Sequence, residues 1–348
     1  MPSGSRVGVV VIGRNEGERL VRSLQSVVAS GRPIVYVDSG SSDDSCANAR
    51  RLGVEVVDLD MSVPFSAARA RNAGYRQLIA TDPDLSYVQF LDGDMEVLPG
   101  WIDAAASEMD RDLAIVAVTG WRHEREVEAS IYNRMCDVEW RLGQVGEVTN
   151  FGGDVMIRVD ALVAVDGYDE RVIAGEDDEL GVRLRQAGGR IVHIDHDCTT
   201  HDAAMHSAGA WWKRAKRCGH AYAQVSAIHG APPERKWVRQ VRRSVLWGAV
   251  VPAAAVVLSV PTLGMSLGLF GRYPYVAARV AADTRRRGFS WLHSATWGVS
   301  CALSQFPEAV GVAQFHLDRL RGRAPKIIEH KAPASTSRRN ERKPPGDR

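Results

Sequence analysis

The sequence predicts an α/β fold, a mainly parallel sheet covered on both faces, followed by an apolar helical region. Three observations predict it. Five short apolar runs recur through the first third of the chain, separated by stretches of helical periodicity. The loops that leave several of these runs carry Gly, Ser and Asp, as expected where a ligand sits beyond the carboxyl ends of parallel strands. From Ser244 to Gly271 there is no charged residue, and the polar patterning stops.

At 348 residues the chain has room for one large domain and an appendage, or for two domains. Its 45% hydrophobic and 25% charged residues are ordinary for a globular protein. A net charge of +2 gives no argument for a nucleic-acid partner. Cys46, Cys136, Cys198, Cys218 and Cys301 are dispersed, without a Cys-x-x-Cys pair. That pattern argues against a zinc site or a disulfide framework and suits a reducing cytosol. The first apolar run is too short for a secretory signal and reads as a strand.

Val7–Ile12, Ile34–Val37, Val54–Val57, Tyr87–Leu91 and Ile115–Val118 are the expected strands. Leu20, Leu24, Val27 and Val28 fall on one helical stripe between the first two. Ser42 is expected to cap a helix over about 43–52, stopped by Gly53, and Ser66 one that reaches about Ile79. Alternating strands and helices imply a parallel sheet, with Asp38 and Asp92 at strand ends facing one crevice. Further on, Val155–Val159 reads as a short strand and Gly167–Glu170 as a turn. Glu176-Asp177-Asp178-Glu179 opens a helix running to about Gln186. Acids there favour the helix dipole, but four in a row exceed what capping needs.

The uncharged span of roughly 28 residues is long enough for a membrane helix. Pro252, Pro261, Gly264 and Gly268 interrupt it, and both flanks are basic: Arg235, Lys236, Arg239, Arg242 and Arg243 before it, Arg272, Arg279 and Arg285–Arg287 after it. A single crossing would place one basic flank outside, against the positive-inside tendency. The expectation is a broken hairpin entering and leaving one leaflet, with Phe289–Phe306 beside it at the interface; two spans or a soluble helix pair are the alternatives. After Lys331 a Pro-, Ser- and Arg-rich tail is expected to be disordered. The resulting division is 1–205, catalytic; 206–243, amphipathic helical; 244–322, apolar helices; and 323–348, basic tail.

Asp92-Gly93-Asp94 ends an apolar strand with two carboxylates one glycine apart. Such a pair suits a hydrated Mg²⁺ or Mn²⁺ shared with phosphates, although Asp-Gly-Asp is also a good plain turn. Val37-Asp38-Ser39-Gly40-Ser41-Ser42-Asp43 offers a polar loop for a nucleobase or ribose. Arg69, Arg71 and Asn72 share a helical stretch where guanidinium groups can pair with phosphates or with an acid of the crevice. The acidic helix start around Asp177 offers a general base, with like charges raising a carboxyl pKa.

Together these residues resemble the family 2 glycosyltransferases, which have the GT-A fold. The match runs in order over most of residues 7–202: Val11-Ile12-Gly13-Arg14-Asn15-Glu16, the Asp38 loop, Ala70-Arg71-Asn72-Ala73-Gly74, Asp92-Gly93-Asp94, then Gly167-Tyr168-Asp169-Glu170 and Gly175-Glu176-Asp177-Asp178-Glu179-Leu180. The opening loop departs from the family's commoner Pro-x-x-Asn-Glu. The resemblance implies an inverting glycosyltransferase that uses Mn²⁺ or Mg²⁺, a nucleotide-sugar donor and a saccharide or lipid-linked acceptor. It implies work in polysaccharide or envelope glycan synthesis at the cytoplasmic face of the inner membrane, on the membrane surface. Asn15, Glu16, Asp38, Arg71 and Asp92 would serve the donor, Asp94 the metal with Asp92, and Asp177 the acceptor hydroxyl as base, with Asp178 its rival. His201 is a candidate third metal ligand, against the reading of a loop histidine bonded to backbone. Trp211-Trp212-Lys213-Arg214 with Arg217 resembles a helix closing over the donor; an interfacial amphipathic helix explains it equally. Glu308, alone among apolar neighbours, is expected to bond an arginine. Acceptor specificity is expected within 120–150 and beyond Asp202.

Other classes fit less well. An NAD-dependent oxidoreductase would need G-x-G-x-x-G spacing, which Gly13-Arg14-Asn15-Glu16-Gly17 lacks. A nucleotidyltransferase would need a glycine-rich basic opening loop and would release pyrophosphate. A non-catalytic sugar-binding scaffold of the same fold would not need Asp94 and Asp177.

Overall fold

The computed structural model describes residues 6–323. The tail expected after Lys331 lies outside them. Nine strands form one sheet: β1 (Val7–Gly13), β2 (Ile34–Asp38), β3 (Glu55–Asp58), β4 (Tyr87–Asp92), β5 (Met95–Val97), β6 (Ile115–Glu124), β7 (Gly146–Val148), β8 (Met156–Arg158) and β9 (Arg190–His201). Their order is β3-β2-β1-β4-β8-β6-β9-β5, with β7 paired to β9. The first four run parallel, whereas β8 is antiparallel to both β4 and β6.

The helices of the sheet region are α1 (Glu18–Val28), α2 (Ser45–Arg51), α3 (Ala67–Thr81), α4 (Trp101–Arg111), α5 (Ile131–Arg141), α6 (Val159–Ala164) and α7 (Glu176–Gln186). The pleat sends Val9 and Val11 of β1 to a core with Leu20, Leu24 and Trp101, while Val10 and Ile12 meet Val37, Leu78 and Phe90. Both faces are therefore covered, as the unbroken apolar run of β1 requires. Gly74 lets α3 lie close to β1, because a Cβ there would collide with Val10 and Val37.

Several local expectations change. Ser66 caps α3 through Arg69 N, but Ser42 caps nothing: α2 starts at Ser45, and Ser42 N donates to Asn15 Oδ1 at 2.7 Å. The strand expected at Val155–Val159 is only Met156–Arg158, because Val159 begins α6. Ile115–Val118 extends to Glu124, since the parallel β9 continues its ladder.

Beyond the sheet lie α8 (Ala208–His229), α9 (Val238–Val245), α10 (Val251–Val257), α11 (Arg272–Arg286), α12 (Trp291–Leu303) and α13 (Gln305–Leu320). Leu246–Val250 is a π turn just before Pro252, where the missing proline N–H frees a backbone carbonyl. The chain reverses at Leu263 and Gly264, both at positive φ, and returns through a 3₁₀ segment, Met265–Gly271. The uncharged run is thus a broken hairpin, and among the described residues no helix is long and apolar enough to cross a membrane. Its tip is unusually apolar at the surface: Val257 is 73% exposed, Val260 82%, Leu263 94% and Met265 79%. Glu308 bonds Ser244 Oγ at 2.6 Å and Arg243 at 3.4 Å, as its isolation suggested.

α8 packs on α13 at near backbone contact, since a Cβ on Gly219 or Gly311 would collide with the partner helix. His220 sits in this interface, 1% exposed and edge-on to Phe315. Burial pulls its pKa from 6.5 to about 4. The folded chain therefore keeps His220 neutral, and the associated stability is full above pH 6.5 and drains as pH falls toward 4. The loss should be about 3 kcal/mol. Thermal melts between pH 7.5 and 4.5 should show a shallower acid slope for His220→Leu than for the parent chain; identical slopes would contradict this account.

Candidate active site

A cavity of about 540 Å³ opens at the carboxyl ends of β1 and β4, lined by residues from the β1–α1 turn, α3, the β4–β5 turn, α7, β9 and α8. The first two loops build its rim. Asn15 adopts φ 55, a left-handed conformation that asparagine tolerates. Its N–H donates to Ser41 Oγ at 2.9 Å and its Oδ1 accepts from Ser42 N, tying the β1 loop to the β2 loop. Glu16 lines the cavity and is paired with Arg19 at 2.9 Å. Arg14 lies 4.6 Å over the Phe65 ring, and both side chains line the cavity.

Asp38 is only 3% exposed, and its oxygens accept bonds from Tyr36 Oη, Ser41 Oγ, Gly40 N and Ser41 N at 2.5–2.9 Å. Burial opposes its charge, but the bonds from Ser41 and Tyr36 outweigh that and hold its carboxyl below the usual range. Asp38 therefore shapes the loop, and its neighbour Ser39 meets the cavity. Asp38 itself is not among the residues that line the cavity.

Arg71 is the hub of the site. It is 2% exposed, with Nη2 2.9 Å from Asp92, and Nη1 2.8 Å from Glu176 and 3.2 Å from Asp177. It thus pairs with acids of the crevice, one of the two roles open to it from sequence. Gly153 makes this possible, because a Cβ there would strike Arg71 Nη2 and the Asp92 carboxylate. Arg69 and Asn72 serve elsewhere: Arg69 bonds the carbonyls of Asp60, Val63 and Pro64, and Asn72 holds the Tyr168–Glu170 turn.

The two candidate bases separate. Asp178 is ion-paired with Lys236 at 2.8 Å, on the segment after α8. Asp177 shares Arg71 with Asp92. Burial pushes its pKa well above the carboxylate range; Arg71 pulls it back, and Glu176, Asp92 and Asp178 push it up. Glu176, not singled out from sequence, contributes directly to the cavity wall beside them.

Asp94 lies in the β4–β5 turn. β5 pairs antiparallel with β9, with Met95 opposite His201, and this register brings His201 Nε2 to 3.2 Å from Asp94 Oδ1. His201 is the last residue of a twelve-residue strand rather than a loop histidine. Burial, helped by Arg122, lowers its pKa to about 4, so the ring is neutral and able to offer a lone pair. A carboxylate and a neutral imidazole on one cavity wall fit a divalent ion whose remaining ligands are phosphate oxygens and water. Asp92 faces the same cavity from its bond to Arg71. The three residues that are gathered closely enough to share an ion, among those described, are Asp38, Cys46 and Asp58, where Asp38 is already saturated.

Arg214 and Arg217 of α8 line the cavity, so this helix supplies part of its wall. Trp211 turns the other way, donating to Ser300 Oγ at 3.0 Å. Phe65, Arg122 and Trp140 also line the cavity without belonging to any motif, and only their composition could have drawn attention to them.

Residues 8–165 match the model of glycosyl transferase family 2. The chain is 27% identical over 281 residues to the succinoglycan biosynthesis protein ExoA of Rhizobium meliloti, covering 74% of this chain and 83% of that protein. Among solved structures it resembles the mannosyltransferase PcManGT from Pyrobaculum calidifontis, in complex with GDP-Man and Mn²⁺, with TM-score 0.59 and 18% identity over 90% of this chain and 88% of that one. It also resembles residues 1–349 of S. aureus TarS, with TM-score 0.50 and 15% identity over 88% and 91% of the two chains. These structural likenesses bear on the fold, which is GT-A-like. The match of residues 8–165 to that family model and the similarity to ExoA together identify the chain as a glycosyltransferase.

Proposed function

We propose that this chain transfers a sugar, with inversion, from a nucleotide-sugar to an acceptor hydroxyl during polysaccharide synthesis. The observation that carries the reading is Arg71, which lines the cavity with Asp92 and Glu176 and binds the helix-start acid Asp177 directly behind them. The similarity to a succinoglycan biosynthesis protein supports the polysaccharide assignment.

The nucleoside end of the donor would lie against Asn15, Ser39 and Phe65, and its diphosphate toward Arg214 and Arg217. Arg217 has no ion pair or hydrogen bond among the described residues, which leaves its charge available for phosphate. Asp94 and His201 would hold Mn²⁺ or Mg²⁺, and the ion's role when bound is to neutralise the departing diphosphate. Asp177, its basicity raised by burial, takes the proton of the acceptor hydroxyl. The acceptor oxygen forms its bond to the anomeric carbon while the bond to the diphosphate oxygen breaks on the opposite face. A nucleoside diphosphate leaves. Arg71 keeps Asp177 oriented and limits how far its pKa rises.

The hairpin at 246–271 is proposed to dip into one leaflet of the membrane, facing the cytoplasm, with the acceptor delivered as a lipid-linked saccharide. The exposed Val257, Val260, Leu263 and Met265 form the kind of apolar patch that marks an interaction surface. Arg242, Arg243 and Arg272 flank it and suit anionic headgroups.

Asp177→Asn should lower transfer at least about 10²-fold, the scale of a lost general base, while nucleoside diphosphate still binds; loss of that binding would reassign Asp177 to the donor. Asp94→Asn and His201→Ala should each weaken Mn²⁺ binding, followed by electron paramagnetic resonance in the presence of nucleoside diphosphate. Unchanged Mn²⁺ spectra in both variants would remove these residues from the metal site. Replacing Val257, Val260, Leu263 and Met265 by Ser should reduce flotation with vesicles containing phosphatidylglycerol, and undiminished flotation would discard the hairpin as the anchor.

A further inference from the structure

Arg122 and Trp140 line a second cavity of about 420 Å³ as well as the first, so the two spaces are neighbours across these side chains. Strands β6, β7 and β9 supply part of its wall, and the end of α5, the chain after it and the 149–154 loop supply the rest. Trp140 and the largely buried Phe151 add apolar ring atoms to the wall, and Gln144, Thr149 and Asn150 are exposed polar side chains. Gly152 leaves room for the Arg122 guanidinium in its wall, since a Cβ there would collide with Arg122 Nη2.

The charged groups of this cavity are already neutralised. Arg122 and Asp154 form a bidentate pair, to which Thr199 adds a bond at 2.6 Å. Glu139 is paired with Arg214 at 2.7 Å, and Glu147 with Arg190 at 3.0 Å. No charge is left that would seek a phosphate, in contrast to Arg217 of the first cavity. His193 lines the second cavity at 8% exposure, its ring held edge-on by Trp121 at 4.3 Å. Its buried Nε2 has no hydrogen-bond partner among the described residues. Burial lowers the pKa of this ring, which keeps it neutral and able to bond a hydroxyl as donor or acceptor.

An orphaned buried nitrogen carries a desolvation cost that a ligand hydroxyl would remove. Neutral hydrogen-bonding groups beside aromatic faces match the alternating hydroxyl and C–H surfaces of a sugar ring. We propose that the second cavity is a subsite for uncharged sugar units of the acceptor, with His193 Nε2 bonding a ring hydroxyl. This rests on the glycosyltransfer reading. An acceptor whose terminal sugar reaches the first cavity past Trp140 would lay its preceding units here, so the cavity would set which glycan is extended.

The test is binding of the full chain to an array of neutral and anionic oligosaccharides. His193→Phe and the rim double variant Gln144→Ala/Asn150→Ala are run beside it. The parent chain should retain neutral oligosaccharides, and each variant should weaken that binding about tenfold, roughly one lost hydrogen bond to a desolvated group. The rim variant, on exposed side chains, guards against a folding defect in His193→Phe. Capture of no neutral glycan, capture of anionic glycans alone, or equal capture by the variants overturns the proposal. Nucleoside diphosphate binding, measured by thermal shift on the same samples, should be unchanged in the variants. Its absence from the parent chain would count against glycosyltransfer itself, whereas the array bears on the second cavity alone.

Discussion

The site depends on one buried cation. Arg71 reaches from α3 to the end of β4 and the start of α7, and it is shielded from water while facing three carboxylates. Without it, three like charges would crowd together, and for the buried Glu176 the loss of its partner typically costs about 3–5 kcal/mol. With it, the acids are held but not fully neutralised, which leaves Asp177 basic. The next residue, Asn72, fixes the Tyr168–Glu170 turn that leads into α7. Two adjacent residues of α3 thereby set both the strand side and the helix side of the cavity.

The C-terminal helices join this arrangement through the segment after α8. Lys236 pairs with Asp178, and the ring of Trp237 packs so close to Gly175, the left-handed residue before α7, that a Cβ there would lie 2.9 Å from it. Arg185 pairs with Glu234, and His229 with Glu179, so the acidic helix is fastened along its length to the approach to the hairpin. Gly219 and Gly311 bring α13 against α8, whose Arg214 and Arg217 face the cavity. The apolar hairpin is thus mechanically continuous with the helix that carries Asp177.

Much of the sheet and the order of the motifs were legible because they rest on local signals. The apolar run of β1, the Ser66 cap and the glycine between Asp92 and Asp94 each act within a few residues. Asp38 reads as a ligand-facing acid at a strand end, yet its close neighbours Tyr36 and Ser41 bond both of its oxygens within the same loop. Other features depend on contacts distant in sequence. His201 gains its place beside Asp94 from the β5–β9 register, which no local pattern encodes. Asp177 and Asp178 read alike in a run of four acids; they differ in partner, because Lys236, 58 residues away, pairs with Asp178. The second cavity had no motif at all, since its charges cancel in pairs drawn from separate elements.

The central claim is that this crevice binds a nucleoside diphosphate with a divalent ion held at Asp94 and His201. A thermal-shift series with UDP, GDP, ADP, CDP and dTDP, each with and without Mn²⁺, tests it directly. At a ligand concentration about a hundredfold above Kd, binding should add roughly 2.7 kcal/mol to stability. The account predicts that at least one of the five raises Tm with Mn²⁺ and raises it much less without. No shift with any of them in the presence of Mn²⁺, or an equal shift in its absence, would contradict it.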